Sequence, residues 1–236
     1  MCGELCGAPQ VVSFSMALAP DDIASFDEAC RSYAFPLKYF DFNADQEVKA
    51  DDVQELEVGI RAQLTASEPS TVKDGLSNVV YWGYGQIDYR ANRVDRFRQQ
   101  LNSEHIAAFQ TLIRRGTPSL TSIKKVGMPE FSGVSFISKI LAFLNPDEYC
   151  VLDWQITKLA GASKERALSG LEGISGTQIR VTARNEAIYD GWRRECKVLS
   201  ETYYKNRYRA VDVERGFFAL IQANRVKDAA RIYSNM

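Results

Sequence analysis

The chain has 236 residues, of which 45% are hydrophobic, 25% charged and 11% aromatic. This composition is typical of a folded globular protein and excludes collagen-like and disordered chains. The weakly charged stretch from Ala8 to Pro20 is too short for a membrane span and has no basic residues before it. We therefore expect neither a membrane anchor nor an export signal. The expected location of the protein is the cytoplasm.

The cysteines do not form a recognisable framework. They are odd in number and lack the spacing of metal ligands, so we expect reduced thiols at Cys2, Cys6, Cys30, Cys150 and Cys196. Cys2 and Cys6 supply only two of the four ligands that a structural zinc needs, and the only histidine is His105, so we expect no metal and no cofactor. A single histidine also argues against Ser-His-Asp and Cys-His catalysis.

Charge is distributed unevenly along the chain. Residues 1–75 contain 14 acidic and 5 basic side chains, whereas residues 76–236 contain 16 acidic and 24 basic ones. Such a division fits either an acidic part joined to a polyanion-binding part or two oppositely charged surfaces within one globule. We divide the chain into residues 1–75, an acidic part that packs on the rest and is a candidate surface for a protein partner, and residues 76–236.

Helical periodicity dominates, so the predicted fold class is mainly α, with a small extended segment in the N-terminal part. Asp21 and Asp22 are predicted to cap a helix that ends at Arg31, and residues 50–52 to start another that reaches Leu64. Between them, the aromatic-rich residues 33–42 are predicted to be extended. The stretch ASEPSTVKDGLS, residues 66–77, is predicted to be a loop and a boundary, because the sign of the charge changes there.

The second part is predicted to be helical throughout. Tyr81, Trp82 and Tyr84 precede a predicted helix that carries Arg90, Arg93, Arg96 and Arg98. Further helices are predicted at residues 102–115, 119–126, 134–144, 176–202 and 211–224. The stops between them are Gly116-Thr117-Pro118, Asn145-Pro146 and the glycine-rich loop at residues 170–176.

One segment carries most of the chemical information, IKKVGMPEFSGVSFISKILAFLNPDEYCVLDWQI, from Ile123 to Ile156. A short helix, a glycine-bearing hairpin and a strongly apolar helix precede a corner at Pro146 and a single carboxylate, Asp153. This order resembles the helix-hairpin-helix DNA glycosylase superfamily. The stretch SKILAFLNPDEYCVLD is similar to bacterial proteins of the 8-oxoguanine DNA glycosylase fold. The resemblance covers about thirty-five residues closely and the helical layout from residue 76 onward loosely.

The resemblance implies that the hairpin holds the DNA backbone. Main-chain N–H groups at the N-terminus of a helix bind a phosphate oxygen without reading the base sequence. Gly127 and Gly133 would supply the turn geometry, and Ser135 would begin the second helix. Lys124 and Lys125 lie about one turn away and would add positive charge.

The resemblance also gives Asp153 a catalytic role. When the N-glycosidic bond of a flipped-out nucleotide breaks, positive charge develops on the sugar, and a carboxylate stabilises it and orients or deprotonates the attacking water. In family members that also nick the strand, a lysine lies about one and a half dozen residues before the aspartate. Counting back 18 residues from Asp153 gives Ser135, which implies a monofunctional enzyme without a Schiff base. Lys139 is the second candidate nucleophile. No cysteine cluster follows Asp153, so no iron–sulfur cluster is expected.

A base pocket is implied as well, with Tyr81, Trp82, Tyr84 and Trp154 as walls and Gln86 facing a base edge. The simpler alternatives are that these aromatic side chains form core and that Asp153 caps a helix beginning at Trp154. The implied partner is DNA with a damaged or modified base, in base repair or in defence against modified foreign DNA. The alternative function is a non-catalytic hairpin module that binds nucleic acid or protein.

Overall fold

A computed structural model describes residues 17–86, 90–116, 118–174 and 178–236. Within these ranges the chain forms ten α-helices, a two-stranded antiparallel sheet and two short 3-10 helices, which confirms the mainly α class. Cys2, Cys6, Thr117 and Gly176 lie outside the described residues. Among the described helices, none has the length and apolar character that crossing a membrane requires.

Most of the regular elements are α-helices. In chain order they are α1 (Pro20–Arg31), β1 (Lys38–Asp41), β2 (Gln46–Lys49), α2 (Val53–Leu64), α3 (Pro69–Gly83), α4 (Arg90–Gln100), α5 (Ser103–Arg114), α6 (Leu120–Val126), α7 (Val134–Leu144), α8 (Ala183–Tyr204), α9 (Ala210–Gln222) and α10 (Val226–Asn235). The 3-10 helices are Ile156–Leu159 and Ala167–Leu171.

Local capping signals explain the helices that sequence analysis predicted best. Asp52, Asn102 and Ser119 precede α2, α5 and α6, and each side chain accepts a hydrogen bond from the backbone N–H three residues later. α7 has the predicted bounds, Val134 to Leu144, and ends at Asn145. The predicted bounds of α5, α6 and α7 are confirmed to within one residue. The helix predicted to start at residues 50–52 begins at Val53 and reaches Leu64 as predicted, and the helix predicted to carry Arg90 to Arg98, for which no bounds were predicted, is α4.

Other boundaries differ from the prediction. α1 begins at Pro20, and Asp21 and Asp22 lie in its first turn instead of capping it, where their charge complements the positive end of the helix. α8 begins at Ala183, because Thr182 caps it by accepting a hydrogen bond from the N–H of Asn185. α10 was not predicted, since its short polar sequence follows α9 after only three residues and has no side-chain cap.

The loop predicted at residues 66–77 is confirmed for residues 66–68 and is wrong from Pro69 onward. Pro69 occupies the first turn of α3, a position that suits proline, and the helix continues to Gly83. Gly75 allows α3 to approach α2 closely, because a Cβ atom there would lie 2.8 Å from the backbone nitrogen of Leu64. The predicted boundary at residue 75 therefore lies inside a helix.

The acidic N-terminal part shares one core with the rest of the chain. Apolar side chains from Leu18 to Tyr233 belong to one connected buried cluster, in which α1 packs on α9 and α2 packs on α3 and α7. Glu57 of α2 forms ion pairs of 2.6 Å and 2.7 Å with Arg209 and Arg215. The opposite charges of the two parts therefore meet inside a single globule.

The short sheet is attached to α3. Its strands pair antiparallel, with Tyr39 opposite Val48. The side chain of Asn78 accepts a hydrogen bond of 2.7 Å from the N–H of Phe40 and donates one of 3.1 Å to its carbonyl. The extended segment predicted at residues 33–42 is thus confirmed for residues 38–41.

Candidate functional site

The connection between α6 and α7 spans residues 127–133, the length that the predicted helix bounds give. Gly127 ends α6 with φ of 79°, a left-handed conformation that favours glycine. Gly133 has φ of −112°, which any residue adopts, so the prediction of special turn geometry is wrong at this position. Its missing side chain instead leaves room for Gln178, whose Cγ would lie 3.2 Å from a Cβ atom.

The predicted phosphate contacts have different environments. The N–H of Val134 at the start of α7 donates to the carbonyl of Ile179, at 2.9 Å. Lys124 donates a 3.0 Å hydrogen bond to the carbonyl of Val181, so its ammonium group holds the neighbouring chain. Lys125 is exposed. Of the two lysines, Lys125 is therefore the better placed to contact DNA.

Two adjoining cavities open beside α7. The smaller one, of about 280 Å³, has aromatic walls and several amide side chains, among them Tyr33, Phe35, Trp82, Gln86, Phe218 and Gln222. The larger one, of about 720 Å³, is lined by more polar groups, among them Tyr84, Arg93, Glu130, Ser132, Ser135 and Gln178. Lys139, Asp153 and Trp154 line both cavities and therefore mark their junction.

Asp153 caps the turn that follows it and also borders both cavities. Its Oδ1 accepts hydrogen bonds from the N–H groups of Gln155 and Ile156, at 2.9 Å and 3.3 Å, so the side chain caps the turn that follows. Oδ2 takes part in neither bond. The residue is only partly buried and borders both cavities, so the cap fixes a carboxylate that a ligand can reach.

The backbone before Asp153 is held from three sides. The N–H of Leu152 donates to Ser138 of α7 at 3.1 Å, and the carbonyls of Val151 and Cys150 accept hydrogen bonds from Trp192 and Tyr189 of α8. All three bonds are buried. The apolar run CVL therefore acts as a rigid support that positions the carboxylate between α7 and α8.

Lys139 reaches the same junction from within α7. Its ammonium nitrogen lies 3.0 Å from Oγ and 3.3 Å from the carbonyl oxygen of Ser135, one turn earlier. Helical side chains lean toward the N-terminus of their helix, which explains why the amine lies at the level of Ser135. Burial lowers the pKa of Lys139, while the charges of Asp153 and Glu214 oppose this shift.

Glu214 is a site residue that sequence analysis missed. It lies on α9, is 4% exposed and lines the smaller cavity. Burial raises its pKa to about 8, the charge of Asp153 adds to the effect, and Arg215, Lys139 and the backbone of Val151 oppose it. The available signal was the charged cluster of Asp212, Glu214 and Arg215 within the otherwise apolar sequence AVDVERGFFALIQ.

The predicted aromatic pocket is only partly assembled as expected. Trp82, Gln86 and Trp154 line the smaller cavity, and Tyr84 lines the larger one. Tyr81 instead lies against the two-stranded sheet, where its hydroxyl donates to Glu47 and the guanidinium of Arg90 covers its ring at 3.9 Å. Consecutive helical residues point about 100° apart, so Tyr81 and Trp82 cannot both face one cavity.

The four arginines of α4 also diverge. Arg93 lines the larger cavity, 3.6 Å from Glu130 across an ion pair. Arg90 pairs with Glu47 and Arg98 with Asp74, whereas Arg96 is exposed. Only Arg93 of this group therefore contributes positive charge to the junction region.

The raised pKa of Glu214 has a consequence for stability. Between the ordinary pKa near 4.5 and about 8, the unfolded chain releases this proton while the folded chain keeps it, so stability falls as pH rises through that window. We expect the free energy of unfolding of the wild type to fall with pH in this window. The slope should be steeper than that of Glu214→Gln by about 1 kcal/mol per pH unit. Urea unfolding at pH 5, 6, 7 and 8 measures this difference, and parallel pH profiles of the two proteins would contradict it.

No family model matches this chain, and no curated protein or solved structure matches it significantly. Any function proposed for the protein therefore rests on the chemistry of these two cavities.

Proposed function

We propose that the protein is a DNA N-glycosylase that hydrolyses the bond between the sugar and a damaged or modified base in a flipped-out nucleotide. The observation that carries this proposal is the place of Asp153, a fixed carboxylate at the junction of an aromatic cavity and a polar one. A nucleotide whose base occupies the smaller cavity and whose backbone occupies the larger one has its glycosidic bond at that junction.

The chemistry of the junction suits this cleavage. As the base leaves, the sugar gains oxocarbenium character, and the carboxylate of Asp153 stabilises that charge and activates water. The two backbone N–H groups on Oδ1 hold the carboxylate in place before the reaction starts.

The surroundings of the larger cavity fit a DNA strand. Arg93 lines its wall in an ion pair with Glu130, and the exposed Lys125 lies on α6, whose connection to α7 lines the same cavity. The ring of Trp154 is 44% exposed next to Asp153, and exposed aromatic rings stack on unpaired bases. These contacts bind a backbone and an extrahelical base without requiring a particular sequence.

The experiment is a search for released bases. The protein is incubated with DNA from several sources, including heavily modified phage genomes, and the small molecules released are identified by mass spectrometry. We expect one class of free base, together with abasic sites in the same DNA. DNA affinity that falls steeply with salt but yields no abasic sites on any modified DNA would favour the alternative, a non-catalytic hairpin module.

A trapping experiment separates water from Lys139 as the nucleophile. The amine of Lys139 donates hydrogen bonds to both oxygens of Ser135. Ser135 itself stands where the strand-nicking enzymes have their lysine. We therefore expect sodium borohydride to trap no covalent protein–DNA adduct during base release. One observation favours the opposite chemistry, namely the lowered pKa of an amine that borders both cavities. In that case the wild type and the control Lys227→Gln, which changes an exposed lysine of α10, form the adduct and Lys139→Gln does not.

A further inference from the structure

We propose that Glu214 is the specificity-determining residue of the smaller cavity and that its carboxyl group, as the neutral acid, pairs with an uncharged base whose edge carries a hydrogen-bond donor next to an acceptor. This inference rests on the proposed function and names its substrate class. It goes beyond cleavage by Asp153, because it assigns base selection to a different helix.

The geometry of α9 supports this assignment. Glu214, Phe218 and Gln222 are spaced four residues apart, so they form one stripe along the helix, and all three line the smaller cavity. The ring of Phe35 lies 6.0 Å from that of Phe218 and 4.8 Å from that of Trp82. One helix face thus brings a carboxyl group, an aromatic ring and an amide to a cavity with further aromatic walls, which suits a planar polar heterocycle.

The neighbouring cations are engaged elsewhere. Arg215 contacts Glu57 at 2.7 Å and Asp212 at 3.3 Å, and Lys139 donates to Ser135. The titratable and charged groups that act on Glu214, or on which it acts, are Tyr33, Lys139, Cys150, Asp153, Cys196 and Arg215. Burial and the charge of Asp153 outweigh the two cations, and the raised pKa leaves the carboxyl protonated near neutral pH.

Protonation decides what the cavity can recognise. A neutral carboxyl group has one donor and one acceptor, whereas a carboxylate only accepts hydrogen bonds. The amide side chains of Gln86, Gln155 and Gln222 likewise offer both functions without charge. Such a cavity pairs with an N–H next to a carbonyl, or with an amino group next to a ring nitrogen. Apart from Asp153, which lies at the junction where the sugar is placed, no carboxylate of this cavity is left to pair with a cationic alkylated base, so such a base gains no preference.

The test measures base-dependent binding without cleavage. The wild type keeps the Asp153 charge that helps to raise the pKa of Glu214, so cleavage is blocked in the DNA, by a 2′-fluoro group on the target sugar. Fluorescence anisotropy then compares an unmodified duplex with duplexes that carry one uracil, hypoxanthine, 8-oxoguanine or cationic 7-methylguanine. We expect tighter binding of at least one uncharged base than of the unmodified duplex, and no such gain for 7-methylguanine. Glu214→Gln should retain this preference, because the amide also has a donor and an acceptor. Glu214→Val should reduce it by about 10-fold or more, since the base edge is left unpaired.

Infrared spectroscopy provides a readout that does not depend on DNA. The wild type near neutral pH should have a carbonyl band of a protonated carboxylic acid that is lost in Glu214→Gln, and its absence would overturn the proposal. Equal binding of all five duplexes by the wild type, or a preference that survives Glu214→Val, would overturn it too. If no base is ever released while the preference depends on Glu214, the enzyme proposal fails and this one stands. If bases are released but the binding preference does not depend on Glu214, the enzyme proposal stands and the proposal for Glu214 fails.

Discussion

Replacing Asp153 with asparagine is expected to abolish base release while the protein stays folded and binds DNA. The amide oxygen of asparagine can still accept the hydrogen bonds from Gln155 and Ile156, so the cap survives the change. The negative charge is lost, and with it the stabilisation of the sugar cation and the ability to take a proton from water. We expect the single-turnover rate to fall by about 100-fold or more.

A matched control separates this effect from general damage to the connection after α7. Asp147→Asn changes an exposed carboxylate six residues earlier, so it should leave base release, DNA affinity and the unfolding midpoint at wild-type values. Asp153→Asn should match this control in DNA affinity and in the unfolding midpoint, but it should lose base release. Retained base release in Asp153→Asn would remove the residue from the mechanism.

Sequence reasoning worked where structure is determined locally. α7 was predicted with its observed bounds, because a glycine, a mostly apolar sequence and Asn-Pro define its start, its burial and its end. Asp52, Asn102 and Ser119 similarly marked helix starts through side-chain caps that need only three residues of context. Asp153, in contrast, was selected through the family resemblance, and its catalytic role stays a prediction.

Sequence reasoning failed where residues that are distant along the chain come together in the fold. Tyr33 and Phe35 follow α1 and Glu214 lies on α9, yet all three line one cavity with Asp153. The sequence analysis, which counted residues back from Asp153, also treated Ser135 and Lys139 as alternatives for the position of the lysine nucleophile. The structure brings them into contact, because a long side chain spans one helical turn and its amine reaches the earlier position. Side-chain reach and tertiary packing are not encoded in spacing alone.

The loop that was misassigned over residues 69–77 illustrates a related failure. Proline, serine and glycine within a dozen residues are typical of a turn, but Pro69 starts α3 and Gly75 serves its packing against α2. A glycine that permits close approach of two helices looks the same in the sequence as a glycine that breaks one. Only the position of the partner helix distinguishes the two.

Two glycine-to-alanine substitutions test this distinction and are expected to have opposite effects on stability. Both residues lie inside helices, where alanine is favoured over glycine by about 0.5–1 kcal/mol. Gly59 on α2 is exposed and has no atom within 4 Å of an added Cβ, so Gly59→Ala should raise the free energy of unfolding by about that amount.

At Gly75 an added Cβ meets backbone atoms of α2, 2.8 Å from the nitrogen of Leu64 and 2.9 Å from the carbonyl carbon of Gln63. Backbone cannot rotate away as a flexible side chain can, so relief requires the two helices to separate and to loosen the buried contacts between them. Overpacking of this kind costs about 1–3 kcal/mol, which exceeds the gain in helix propensity, so Gly75→Ala should lower the unfolding midpoint in urea with little change in the m-value. Because α2 and α3 both pack on α7, which carries Lys139, the same variant should also weaken base release. A midpoint that rises in both variants would mean that α3 does not approach α2 as closely as the structure has it.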